Sequence, residues 1–170
     1  VATVRYRNGD EAQFPLRYET LFLSGERKGR GTAGQILDAN GRAIMTSSQG
    51  PSGGRGIGPF FAYGPDANSL IQVSHARAGQ QRKLYLVTQY EYHTEAPVDR
   101  PGAASDMYGR LPMAVSLATL QQNRQSGELQ VVDLRNVDVR AARGSWIPCA
   151  GSLTPWNTHI GGEEYEPNAQ

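Results

Sequence analysis

The segment from Trp146 to Gln170, WIPCAGSLTPWNTHIGGEEYEPNAQ, concentrates residue types that are costly to place without a reason. Cys149, the chain's 1 cysteine, precedes a Gly-Ser step and a Thr-Pro-Trp step, and two adjacent carboxylates, Glu163 and Glu164, follow Gly161-Gly162. A thiolate and carboxylates together can hold a cation such as ferric iron, whereas carboxylates and backbone carbonyls suit calcium. Carboxylates beside a thiol also disfavour the thiolate, and a bound cation reverses that preference. If the run around Thr158 to Glu164 is a strand, Glu163 and Glu164 point to opposite faces, so that one addresses a site and the other faces solvent or a second cation. The plainer alternative is a small buried cysteine and a solvated acidic pair.

Other catalytic patterns are missing. The three histidines, His75, His93 and His159, are scattered, without the i, i+4 spacing of a helical zinc site. Gly50 to Gly58 is rich in glycine, but no Gly-Lys-Ser/Thr follows it, so it reads as a surface loop rather than a phosphate cradle. No Gly-x-Ser-x-Gly elbow occurs.

Short strands joined by turns must position these groups. The chain has 170 residues, a size that suits one domain; only 19% are charged, while 20 Gly and 10 Pro supply turns. That composition excludes a helical bundle, a coiled coil and intrinsic disorder. A net charge of +1 gives no electrostatic case for nucleic acid. Arg makes up 15 of the 17 basic residues; Arg suits phosphate or carboxylate clamps, but genome base composition gives the same bias and is the plainer and preferred reading. One cysteine excludes an internal disulfide framework, no apolar run is long enough for a transmembrane helix, and Val1 opens a strand-like segment rather than a signal peptide.

Alternation marks Ala2 to Arg7, then Phe14, Leu16 and Tyr18, before the apolar Leu21-Phe22-Leu23. Gln35 to Ser47 reads as two short strands around an Asn40-Gly41 hairpin turn. A Gly-Pro-Asp turn is expected at 64–66, and strands over Leu70 to Val73, Lys83 to Tyr92 and Glu128 to Leu134. Met113 to Gln122 carries both helical and strand signals, and the reading favours strand–turn–strand. A long loop is expected at about 94–112. The expected fold is all-β, of short antiparallel strands at the spacing of propeller blades.

The segment PCAGSLTPWNTHIGGEEYEPNA resembles the PhoX-type alkaline phosphatases, which carry Cys-x-Gly-Gly/Ser-x-Thr-Pro-Trp-Gly/Asn-Thr leading into a Glu-Glu pair. Tyr85 to Tyr92 looks like the family's apolar strand ending in Asn-His-Glu-Tyr. The resemblance implies a β-propeller with iron and calcium in a central cavity, hydrolysing phosphate monoesters in the periplasm or outside the cell. On that resemblance Cys149 is an iron ligand, Glu164 is the preferred motif glutamate with Glu163 its neighbour, and Glu91 matches a further glutamate. Thr154, Trp156 and Asn157 would orient these ligands from behind.

The sequence departs from the family at Gln89 for Asn, Tyr90 for His, His159 for Trp, Gly161-Gly162 for a Ser/Thr-Cys step, and Tyr165 for Asn. Family members are much longer. The expectation is therefore a divergent branch, with residues 1–170 the N-terminal portion of one propeller domain and the rest supplied by the same polypeptide or by another chain. Alone, these residues are expected to be inactive. The alternative class is a non-catalytic, calcium-binding propeller acting as an extracellular binding or structural subunit.

Overall fold

A computed structural model describes residues 1–38, 40–46, 58–62, 64–73, 83–91, 113–123 and 125–164. The strands are β1 (Ala2–Arg5), β2 (Glu11–Phe14), β3 (Arg27–Lys28), β4 (Gly31–Thr32), β5 (Met45–Thr46), β6 (Gly58–Pro59), β7 (Pro65–Val73), β8 (Lys83–Tyr90), β9 (Val115–Gln122), β10 (Leu129–Asn136), β11 (Pro148–Leu153) and β12 (His159–Glu163). Every pairing is antiparallel, and the one helical element among the described residues is a 3-10 turn at Arg140–Ala142. The fold is all-β. The loop expected at about 94–112, residues 50–57 of the glycine-rich run, His75 and His93 lie outside the described residues.

The centre is a four-stranded meander in the order β10-β9-β8-β7. Its inner strands are the most apolar, and alternation places Ser116, Ala118 and Leu120 of β9 on one buried face. Strand therefore wins over helix at Met113 to Gln122, because β9 finds partners on both sides, Leu120 opposite Leu84 and Leu134 opposite Ala118. Two cores result. Ala33, Leu84, Ala118, Leu120 and Leu134 form one, with Leu21 and Phe22 laid against it. Ile36, Ala62, Tyr90, Met113 and Ala114 form the other.

Further hairpins pack against both outer strands of the meander. The tight β3–β4 hairpin lies over β10, where Arg30 Nε donates to Asp133 Oδ2 at 2.9 Å and the Asn136 amide bonds both the N–H and the carbonyl of Thr32. The β11–β12 hairpin packs on β7 and reaches β8.

Two expectations change in detail. The Asn40-Gly41 turn forms, with Gly41 at φ 76° and Asp38 Oδ1 accepting from the N–H groups of Asn40 and Arg42. Its flanks bond across the turn, Asp38 N–H to the Arg42 carbonyl and Ile44 N–H to the Ile36 carbonyl, but they amount to one isolated bridge, Leu37 to Ala43; the remaining groups, Ile36 N–H and the Ile44 carbonyl, bond to Phe60. The Gly-Pro-Asp turn at 64–66 is a strand start: Pro65 pairs with Tyr90, and a register shift between Pro65 and Asn68 absorbs the irregularity. Proline is tolerated at the first residue of a strand.

Large apolar side chains stay exposed away from the cores, including Leu16, Tyr18 and Leu23 after the β1–β2 hairpin. No helix among the described residues is long and apolar enough to cross a membrane.

Candidate metal centre

Three separate pieces of chain meet at one end of the β11–β12 hairpin. Glu91 follows the last residue of β8, and its N–H donates to the Gly64 carbonyl at 2.9 Å. Cys149 is the second residue of β11. Glu164 follows β12 directly, held by its N–H to the Ile147 carbonyl at 3.0 Å. One carboxylate oxygen of Glu91, the Cys149 sulfur and one carboxylate oxygen of Glu164 all lie within 4.8 Å of one another. Glu91 and Cys149 are half-buried and Glu164 is exposed.

Local backbone explains how the thiol is aimed. Pro148 pairs with Glu163 and Gly151 with Gly161, so Cys149 and Ala150 stand opposite the single residue Gly162. This is a β-bulge, which turns a side chain out of the regular alternation. Just before it, the almost fully buried Ile147 adopts φ 45°, a conformation that a β-branched residue takes only when its surroundings impose it.

The electrostatics of the cluster are one-sided. Burial pushes the Cys149 thiol up; a hydrogen bond to the Asp66 carboxylate and the charges of Asp66, Glu164 and Glu91 push it further in the same direction. Burial also raises Glu91, and Asp66 and Glu164 add to the shift. Among the described residues, every ion pair lies elsewhere: Arg5–Glu11, Arg17 with Glu19 and Glu128, Lys28–Glu26, Arg30–Asp133 and Arg140–Asp138. The cluster thus gathers acids without a basic side chain paired to them. Its donor set, one sulfur and two carboxylates, is chemically suited to ferric iron, and the carboxylates alone to calcium.

No family model, curated protein or solved structure matches the chain. The site is therefore read from its own geometry.

Glu163 turns away from the cluster, and its carboxylate accepts the Trp146 N–H at 2.7 Å. The two adjacent glutamates thus divide between a backbone bond and the thiol. Thr154, Trp156 and Asn157 sit in the turn at the opposite end of the hairpin. There Asn157 takes a left-handed φ of 64°, its N–H bonds the Thr154 carbonyl, and its side-chain amide donates to the Gln72 carbonyl at 2.7 Å. Thr154 Oγ1 accepts the Thr158 N–H. Trp156 is 73% exposed. Turn chemistry accounts for all three: Pro155 suits a central turn position and Asn tolerates the left-handed region. Tyr90 points into the core, where burial raises its phenol.

Asp66, Gln89, His159 and Ser69 complete the surroundings, and none was singled out as a site residue by sequence. Gln89 Nε2 donates to the carbonyls of Cys149 at 2.9 Å and Ala150 at 3.2 Å. Its Oε1 faces His159 Nε2 at 3.0 Å, and His159 Nδ1 faces Ser69 Oγ at 2.8 Å. Because Oε1 can only accept, the imidazole proton sits on Nε2 and Nδ1 accepts from Ser69. Burial lowers the His159 pKa, which favours this neutral form. The one sequence signal is the two-residue spacing from Gln89 at the end of β8 to Glu91, which the strand period sets on one side.

Proposed function

We propose that the chain is part of a metal-dependent phosphomonoester hydrolase of the PhoX type, with Glu91, Cys149 and Glu164 holding iron. The observation that carries this reading is the meeting of those three side chains, from distant parts of the chain, with no basic partner among the described residues. A thiol set against carboxylates is disfavoured as a thiolate, and a bound cation would reverse that preference. When bound, the cation supplies Lewis-acid polarisation of a phosphoryl oxygen. Cys149 and the two carboxylates must give up their protons to bind it, and the proton held at Cys149 Sγ against Asp66 is the one released. Asp66 offers a further carboxylate for calcium at the same rim.

The four-stranded antiparallel meander has the form of one propeller blade, which supports a partial propeller as the finer description. The exposed apolar side chains near the β1–β2 hairpin support its completion by further polypeptide. A phosphate monoester substrate and a periplasmic or extracellular location belong to the same reading. The test is elemental analysis and phosphatase assay on the full-length polypeptide. Cys149→Ser should strip iron and abolish hydrolysis, whereas Glu163→Gln should retain both. Normal iron and turnover in Cys149→Ser would return Cys149 to a small buried hydrophobe. Calcium alone, without turnover in the unmodified protein, would identify a binding or structural subunit instead.

A further inference from the structure

We infer that Gln89 is the positioning residue of the site: its amide clamps the bulge of β11 and thereby aims the Cys149 thiol at Glu91 and Glu164. The inference deepens the metal reading above and takes the role of the thiol from it. The placement of the thiol stands on geometry alone.

The bulge sets Cys149 and Ala150 against one residue, so the ladder with β12 is interrupted at these two positions. The amide of Gln89 donates to the carbonyl of each. Gln89 is 3% exposed, and its side chain cannot swing away without leaving buried polar atoms unpaired. The amide orientation is itself imposed. His159 Nε2 holds Oε1, and Ser69, which is 2% exposed, holds the other face of the imidazole. Ser69, His159 and Gln89 therefore form a chain of hydrogen bonds running from β7 to the backbone beside the thiol.

Two glycines make room for that chain. Gly161 and Gly151 are register partners across β11 and β12. A Cβ on Gly161 would overlap Gln89 Oε1, and a Cβ on Gly151 would come within 2.8 Å of both His159 Cε1 and Ala67 Cβ. Facing glycines here are the space occupied by the imidazole and the amide. Gly162, opposite the bulge, has open space around its Cβ position, so the requirement is local to the relay.

The clamp predicts a specific behaviour of the lone cysteine. In the metal-free protein the thiol is half-buried beside Glu91 and Glu164, which restricts access to it. Gln89→Met keeps the length of the side chain and removes both donors without adding charge. With the bulge released, Cys149 becomes more accessible, and its alkylation by iodoacetamide in the folded, metal-free protein should accelerate by up to about thirtyfold, the scale of two lost hydrogen bonds at about 1 kcal/mol each. Thr88→Val is the control for general loosening of β8: Thr88, the neighbour of Gln89 on that strand, donates its hydroxyl to Asn68 Oδ1 of β7, and losing that bond should leave the rate unchanged. His159→Phe keeps a ring and leaves Gln89 Oε1 unheld, and should give a smaller rise; it serves where Gln89→Met does not fold. Titration with cobalt(II), read by its thiolate charge-transfer absorption, supplies the second readout: Gln89→Met should weaken cobalt binding about tenfold, by the same loss of placement. Unchanged alkylation in the folded variant, or an equal rise in Thr88→Val, would overturn the clamp. Cobalt binding to the unmodified protein without thiolate absorption would remove the metal reading, while the alkylation comparison still decides the clamp.

Discussion

Glu91→Gln should do two opposite things at once. In the metal-free protein, Glu91 stands within 4.8 Å of the Glu164 carboxylate and the Cys149 sulfur. Two like charges at that distance repel by about 1 kcal/mol when water screens them fully. Glu164 is exposed, so the fully screened value is the appropriate one. Removing the charge should therefore raise the melting temperature of the metal-free protein by about 2–4 °C at neutral pH, given a chain of this size. The sign of the pH dependence follows from the raised proton affinity of Glu91 in the folded state. Below the ordinary carboxylate range Glu91 is protonated whether folded or unfolded, and variant and parent should melt alike. As pH rises through the raised value, the parent loses stability that the variant keeps, so the gap opens with pH. The same substitution replaces an anionic ligand by an amide and should weaken cobalt(II) binding at least about tenfold, equivalent to about 1.4 kcal/mol. Thermal melts at about pH 5 and about pH 8, with cobalt titration at the higher pH, test both halves. A variant less stable than its parent at the higher pH, or one that binds cobalt equally well, would refute the argument that Glu91 serves a cation at the expense of the metal-free fold.

Gly161→Ala should destabilise the protein by about 1–3 kcal/mol in urea unfolding, as overpacked sites do, because its Cβ meets the Gln89 amide. Gly162→Ala, with nothing within 4 Å of its Cβ position, should cost clearly less, and equal costs would show that the relay does not fill the space. The Asp138 carboxyl, bonded to the side chain and N–H of Arg140, should titrate at about 2 by carboxyl NMR. Its stabilising contribution is then present above the ordinary carboxylate range and lost as pH falls through about 2, and titration at the ordinary Asp value would show that the pair does not persist in solution.

The strands were legible where strand-forming residues run together. Lys83 to Tyr90 was legible from its β-branched and aromatic residues rather than from alternation, and the turn at Gly41 follows from the freedom of glycine; Phe14, Leu16 and Tyr18 alternate, yet the strand ends at Phe14 and all three stay exposed. Gly64-Pro65-Asp66 misled because proline and glycine mark strand starts as well as turns, and only the pairing with Tyr90 distinguishes the two. The opposed directions of Glu163 and Glu164 were contained in the period of the strand. The bulge at Cys149 was not, since it depends on register across the hairpin. Asp66 and Ser69 carry no local signal, and Gln89 has only its place two residues before Glu91, because each acquires its role from a partner far along the chain: Gln89 lies 60 residues from Cys149, and Ser69 lies 90 from His159. Thr154, Trp156 and Asn157 were read as support for the site because they sit beside it in sequence, and the hairpin carries them to its other end.

The docking of the β11–β12 hairpin on β7 also orders events in time. β7–β8 and β9–β10 join strands that are neighbours in sequence, and such contacts close with the smallest loss of chain entropy. The β11–β12 hairpin can likewise form within itself. Its arrival at β7 closes a far longer loop, and only that arrival brings Cys149 and Glu164 to Glu91. Loop-closure entropy therefore predicts that the acidic cluster assembles late, with like charges opposing the closing step. A cation present at that moment would turn the least favourable contact of the fold into a clasp, and would select chains whose last hairpin has seated in register.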